Sequence, residues 1–378
     1  MTAALGQLFA KLILVELYSF AATTRKAISY AAIGAVVLLI LYLLVRGAIS
    51  LYLTINPPPP TPPTVGFGEL PELRLPQTDI AGTPTFVLET ATGDLPEFPD
   101  KAEVVTMSPV QPTLLGEEKA RELARELDFG GQGSLSTDRK TLTFEDAPDG
   151  RTLSVDVVTQ NFTLTTSTSK ISSLPLGSAV SGPDAIKKAQ ILLSSLGLLE
   201  FGFEEGNQTT VFRAVSGGEA KKVSSISEAH FTEVNFFRSL TQVSSQNYPL
   251  LPPNPQTGLI KVWVTSGLDP EILNTLLLSY NASQVEIDKE VIETYPLEAV
   301  SNAWEAVKRG EGIAYVEDSD PVRQVAITRV TLAYFDDPAH QVYLQPIYVF
   351  YGLTRGLEGQ EGEFVAYQPA VSKDWIAE

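Results

Sequence analysis

The chain has 378 residues, with 27 Lys and Arg against 45 Asp and Glu for a formal net charge of −18, no cysteine, two histidines and 44% hydrophobic side chains. The missing thiols exclude thiolate catalysis, disulfide scaffolds, zinc ribbons and iron–sulfur clusters, and two histidines leave little for an imidazole-rich metal site. The apolar fraction excludes a disordered or collagen-like chain, the acidic balance argues against nucleic acid as a partner, and the length suggests more than one folded unit.

The first apolar stretch, Leu5–Ala22, is interrupted by Lys11 and Glu16. Two charges are costly at the middle of a bilayer, so residues 1–26 are read as a cytoplasmic or interfacial apolar helix, with a second span as the alternative. Ala27–Val45 then runs for 19 residues without a charge, flanked by Arg25, Lys26 and Arg46. At about 1.5 Å per residue it reaches about 28 Å, the thickness of a bilayer core. Residues 27–55 are therefore assigned to a transmembrane helix. A cleaved signal peptide is the rival reading, but the run exceeds a usual h-region and no small-x-small cleavage site precedes the prolines. Arg25 and Lys26 hold the N-terminal side in the cytoplasm, which places everything beyond Arg46 outside, as a single-pass protein of the cell membrane. Ala31, Gly34 and Ala35 give the span a small-residue face suited to contact with a membrane partner. Charge is divided accordingly: residues 1–56 carry four basic side chains against Glu16, and residues 57–378 carry a net −21. An exported portion without cysteine points to a bacterial envelope.

Residues 56–66 are read as a stalk, because the prolines from Pro57 to Pro63 force extended polyproline II. Beyond it an amphipathic helix followed by alternating strands recurs. The first helix, Gly116–Leu127, places Ala120, Leu123, Ala124 and Leu127 on one face, and Leu142–Phe144 and Leu153–Val157 follow as a hairpin around Asp146–Gly150. The second helix, Pro183–Leu196, opens at a proline and ends at Gly197, with Ile186, Ala189, Leu193 and Leu196 on one side. Strands are expected over Thr209–Ala214 and Ala229–Phe237, and Ser244–Gly258 is read as a hairpin arm or an inner linker. The third helix, Pro296–Lys308, buries Val300, Ala303, Trp304 and Val307, and Gln324–Tyr334 with Gln341–Tyr351 form the strongest hairpin. A last strand runs near Phe364–Tyr367. Strand runs with single helices argue α+β, mainly antiparallel. Two extracytoplasmic domains are expected, 67–178 and 179–378, with the boundary in the Ser/Gly/Pro stretch Ser172–Gly182.

The sequence from Tyr295-Pro-Leu-Glu-Ala-Val-Ser-Asn-Ala-Trp304 to Gly310, with Val325–Tyr334 and Leu344-Gln-Pro-Ile-Tyr-Val-Phe-Tyr-Gly352, resembles the C-terminal part of bacterial YycH/YycI-type and PepSY-like extracytoplasmic proteins. The helix Pro183–Leu196 with Leu198 and Leu199 resembles the earlier helix of the same proteins, so the likeness covers about residues 180–370 and consists of packing patterns. It implies a non-enzymatic envelope protein that regulates a membrane partner, in the best-known cases a sensor histidine kinase. The long N-terminal apolar segment and the extra region 67–178 depart from that pattern.

Candidate chemistry is sparse. Ser167-Thr-Ser-Lys170 matches the S-x-x-K motif of penicillin-binding enzymes but lacks the later S-D-N and K-T-G elements and is read as strand or loop. His230 and His340 lie in or beside expected strands without carboxylates at ligand spacing and are read as structural or surface residues. Glu317-Asp-Ser-Asp320 and Asp336-Asp337 are oxygen-rich but lack the spacing of a calcium loop and are read as solvated turns. Aromatics gather at the C-terminal end, and alternation leaves Tyr343, Tyr348 and Tyr351 as a candidate exposed aromatic surface, with cover by a neighbouring helix as the alternative. No catalytic, cofactor or metal site is assigned. The expected function is a membrane-anchored protein that binds and regulates or scaffolds another envelope protein without catalysis; the alternative is a self-associating structural subunit of a surface assembly.

Overall fold

In the computed structural model the described residues are 34–56, 61–108, 114–148, 150–200, 202–239, 248–266, 275–282, 286–317, 321–338, 341–356 and 359–377, those of 286–290 as backbone only. Contacts divide the chain into two units, Met1–Pro62 and Pro63–Glu378. The described part of the first is helix α1, Gly34–Ile55, of 22 residues and mean hydropathy 2.3, with none of its apolar window buried. Its length and composition suffice to cross a membrane, a test that a signal sequence also passes. Gly34 and Ala35 lie at its exposed start. Ala31 and the Leu5–Ala22 segment are outside the described residues, as are the first four prolines of the stalk.

The second unit is α+β and mostly antiparallel. Its first strands are β1 (Thr85–Leu88) and β2 (Lys101–Ser108), followed by helix α2 (Gly116–Glu126), β3 (Ser134–Leu135), β4 (Thr141–Asp146), β5 (Arg151–Asp156), β6 (Phe162–Thr166), the short helix α3 (Thr168–Ser172) and α4 (Gly182–Ser195). Then come β7 (Gln208–Ser216), β8 (Glu219–Lys222), β9 (Phe231–Phe236), β10 (Leu250–Leu251), β11 (Ile260–Val264), β12 (Thr275–Tyr280) and β13 (Glu286–Pro296). The chain closes with α5 (Val300–Lys308), β14 (Ile313–Val316), β15 (Val322–Phe335), β16 (Tyr343–Leu344), β17 (Pro346–Gly356) and β18 (Glu361–Pro369).

The described residues of 114–282, β10 apart, build a nine-stranded sheet in the order β3-β4-β5-β6-β12-β11-β9-β7-β8. Alternation sets its faces: Leu142, Phe144, Leu153, Val155, Phe162 and Leu164 turn inward and meet Ala120, Ala124 and Leu127 of the α2 region and Ala185, Ala189 and Leu193 of α4 in one core. Helix α4 starts where the Ser181 Oγ accepts from the Asp184 N–H at 3.4 Å, with Pro183 in its first turn, and stops before Gly197 at φ +66°. Residues before and after this block form the rest. Strands β1, β15, β17, β18 and β14 lie in that order, with β10 also on β15, and β13-β2-β16 make a three-stranded sheet.

The expected boundary at residue 178 is not where the sheets divide. Strand β6, before it, pairs with β12, after it, through Phe162 opposite Tyr280 and Leu164 opposite Leu278. The chain instead leaves along β2 and returns along β13, which pair with each other, Ala102 opposite Tyr295. The nine-stranded sheet is thus inserted between two neighbouring strands. The described part of the Pro-rich segment after β9 is an arm, as one reading expected: Leu250 and Leu251 pair with Tyr334 and Phe335 of β15, and the Tyr367 hydroxyl donates to the Pro252 carbonyl at 3.1 Å.

The expected third helix begins late. Pro296 ends β13 opposite Lys101, and the Leu297 N–H donates to the Asp100 carbonyl at 2.9 Å, so strand pairing holds the first residues and α5 starts at Val300. Ala303, Trp304 and Val307 are buried as expected, and Ala306 with them, with Trp304 stacked on Phe350 at 6.0 Å between ring centroids. Val300 is only half-buried. Where Ser167-Lys170 is read as strand or loop, Thr168–Ser172 forms the five-residue helix α3.

Candidate functional site

A cleft of about 620 Å³ lies beside α5. The helix contributes Asn302, Ala303 and Ala306, and the turn after it contributes Arg309, Glu311 and Gly312. The helix ends there because Gly310 and Gly312 take φ of +80° and +68°. The opposite wall is the segment from Glu72 to Gln77. Pro71 and Pro76 fix their own φ and bias Leu70 and Leu75 to extended backbone. The segment is anchored at both ends: the Leu70 N–H donates to the Trp375 carbonyl at 2.8 Å and the Thr78 N–H to the Ile313 carbonyl at 2.7 Å. The Gln77 amide locks it to the turn, accepting from the Gly312 N–H at 2.8 Å and donating to the Gly310 carbonyl at 2.9 Å.

Between these walls stand Gln345 and Gln368, 2% and 6% exposed. Each turns its amide nitrogen into the protein, Gln345 to the Pro71 carbonyl at 2.8 Å and Gln368 to the Glu311 carbonyl at 2.7 Å. Among the described residues neither side-chain oxygen has a hydrogen-bond partner. Glu298 is held by its backbone on both sides, its N–H donating to the Ala370 carbonyl at 2.8 Å and its carbonyl accepting from the Tyr348 hydroxyl at 2.7 Å. Glu72 and Lys373 complete the charged lining, and the Arg309 guanidinium, 2.6 Å from Glu311, holds that carboxyl below the usual range. Leu73, Leu75, Val371 and Ile376 supply apolar wall. Such an arrangement offers both hydrogen-bond acceptors and charge, which suits recognition of a polar chain.

The aromatic surface expected from the sequence is not there. Tyr348 is 1% exposed, and burial and Glu298 push its hydroxyl up to about 12. Tyr343 is half-buried against the Phe67 ring at 4.8 Å, and half-buried Tyr351 carries the Arg329 guanidinium 4.1 Å above its ring. The contacts on Tyr343 and Tyr351 come from Phe67 and from Arg329 of β15, not from the neighbouring helix that the alternative named.

The remaining expected sites are dispersed. His230 is 7% exposed and its Nδ1 accepts from the Val215 N–H at 3.0 Å, a structural role. The second histidine, His340, lies outside the described residues, as do Asp318–Asp320. Glu317 accepts from the Glu363 N–H at 3.2 Å and stands 3.8 Å from the Lys222 ammonium. Asp336 is no solvated turn: it is 2% exposed and faces Arg238. Ser167 Oγ lies 3.3 Å from Ser169 Oγ at the exposed start of α3. Among the described residues there is no group of three His, Asp or Glu side chains that could hold a metal ion.

Sequence reasoning missed Gln77, Gln345, Gln368 and Glu298. The available signal was the pair of prolines five residues apart bounding Glu72–Leu75, and a glutamine inside the Leu344-Gln-Pro phrase where alternation calls for packing.

No family model matches this chain, and no curated protein matches it. A solved structure of an uncharacterized protein from Eubacterium rectale is similar over 70% of this chain and 83% of its own, at 10% identity and a TM-score of 0.40.

Proposed function

We propose that this chain is a membrane-anchored extracytoplasmic protein whose second unit binds and regulates or scaffolds another envelope protein, without catalysis. The observation that carries the reading is the junction of two chemistries in one chain: the exposed apolar helix Gly34–Ile55 and the acidic, sheet-rich unit Pro63–Glu378. An apolar helix whose window is unburied among the described residues is stable in lipid, and a unit of strong net charge requires water. The basic residues Arg25 and Lys26 before the span favour an outward-facing unit. The buried acids Glu233 and Asp336 are engaged by Arg213 and Arg238, which fits scaffolding better than acid–base work. The resemblance of residues 180–370 to YycH/YycI-type and PepSY-like proteins supports regulation of a membrane partner.

The test is exchange of Ala27–Val45 for an unrelated apolar span, with protease accessibility of intact cells and in-cell crosslinking as readouts. The unit is expected to be cleaved from outside and to keep one dominant partner, with the partner's output altered if contact runs through the span. Protection of the unit in intact cells would refute the orientation.

A further inference from the structure

We infer that the cleft beside α5 binds an extended, cationic peptide segment, an inference that rests on the protein-binding reading above and names the chemistry of its partner. The wall from Glu72 to Pro76 runs between two anchored ends, and none of its backbone N–H groups makes a hydrogen bond among the described residues. Extended backbone with unused donors and acceptors is a template for a further strand. Facing this strip, the Gln345 and Gln368 side-chain oxygens lack partners although both side chains are more than nine-tenths buried. The two side chains line the cleft, and the backbone N–H groups of an incoming chain are donors that their oxygens can accept.

Length and charge fit as well. An extended run of five residues, Glu72 to Pro76, spans about 17 Å, the reach of a short strand. The cleft carries Glu72, Glu298 and Glu311 against Arg309 and Lys373, on a portion of chain with net charge −21. Arg309 and Glu311 neutralise each other at 2.6 Å, which leaves Glu72 and Glu298 against Lys373. A cationic occupant is therefore favoured over an anionic one. Alternating side chains of such a segment would meet the apolar wall of Leu73, Leu75 and Val371 on one side and carboxylates on the other.

The experiment uses the full chain in detergent micelles and a capped hexapeptide of alternating lysine and valine, measured by calorimetry. Two controls accompany it: the same peptide N-methylated at alternate residues, which removes main-chain donors, and its glutamate–valine counterpart. Saturable binding is expected for the lysine peptide, weakened at least about tenfold by N-methylation and absent for the glutamate peptide. Asn302→Trp, an exposed substitution that fills the cleft, is expected to weaken binding by at least about tenfold as well, whereas Glu219→Trp on the edge strand β8 leaves it unchanged. Equal binding of the N-methylated peptide, equal loss in both variants, or no binding at all overturns the proposal. In-cell crosslinking of the Asn302→Trp chain separates the two claims. A partner still attached there removes the cleft and leaves partner binding standing, whereas no partner on the unaltered chain removes both.

Discussion

Arg238 Nε stands 3.6 Å from Asp336 Oδ2 with both side chains 2% exposed, so a buried ion pair joins the second residue after β9 to the residue after β15. The Phe203 ring lies beneath the guanidinium at 5.1 Å, and the Asp336 N–H donates to the Leu251 carbonyl of the arm at 2.9 Å. The pair thus fastens the inserted sheet to the sheet that frames it. Burial pushes the Asp336 carboxyl above its usual range, against the pull of Arg238 and with a push from Asp337.

Mutants of the two halves of this pair therefore respond differently to pH. Arg238→Met leaves a buried carboxylate without a counter-charge and is expected to cost about 3–5 kcal/mol at neutral pH. Asp336→Asn takes this carboxylate from a buried guanidinium that cannot shed its charge, and is expected to cost a similar amount. The sign of the pH effect follows from the raised carboxyl: the folded state holds the proton more tightly than the unfolded chain. This group's stabilisation is then full below the unfolded range of about 4 and declines as pH rises toward the folded value. Urea denaturation at several pH values checks both points; the Arg238→Met deficit should shrink on acidification, and Asp336→Asn should lack that part of the slope.

Glu233 titrates in the opposite sense. Desolvation raises its carboxyl, but the Arg213 fork at 2.7 and 2.9 Å, with Asn235 and the Trp263 indole at 3.1 and 2.8 Å, outweighs it and the net direction is down. Its stabilisation is present above the unfolded value of 4.5 and is lost as pH falls through the lower folded value. Glu233→Gln is expected to cost about 1.5–3 kcal/mol at pH 7, with the deficit closing in acid. Tryptophan fluorescence during unfolding reads it.

Gly312 supports the cleft wall by conformation. At φ +68° it donates its N–H to the Gln77 Oε1, and a Cβ there would run into the Tyr367 carbonyl. Gly312→Ala is expected to destabilise the second unit by about 1–3 kcal/mol and to speed amide exchange over Glu72–Gln77. Hydrogen exchange mass spectrometry localises the effect.

Helix α1 makes a prediction of a different kind. Leu41 lies within its exposed apolar window. Leu41→Lys places a charge near mid-span at about 2.5–3.5 kcal/mol, and the chain should shift from the membrane to the soluble or degraded fraction. Fractionation of cells expressing each form reads the shift.

Local periodicity made the helices legible: α2 and α4 fall within a residue or two of the expected spans because Ala120, Ala124, Ala189 and Leu193 mark a buried stripe. Alternation also showed that β15 has a partner, but the second strand runs Pro346–Gly356 rather than Gln341–Tyr351, because Tyr343 and Leu344 pair with β2 instead. Long-range pairing was not, since nothing in Ala102 or Tyr295 announces that the two lie opposite each other across an inserted sheet. Pro296 reads as a helix start in isolation, and only its pairing with Lys101 makes it a strand end. The cleft was hidden for the same reason. Gln345 and Gln368 sit among strand residues, and their shared cleft exists only after β18 and the arm around Pro71 are in place.

In-cell crosslinking of the full-length chain, with mass spectrometric identification of what is attached, tests the central claim most directly. The account predicts one other envelope protein, attached through residues of the Pro63–Glu378 unit and lost on Asn302→Trp. Crosslinks chiefly between copies of this chain would contradict it and make the protein a subunit of an assembly.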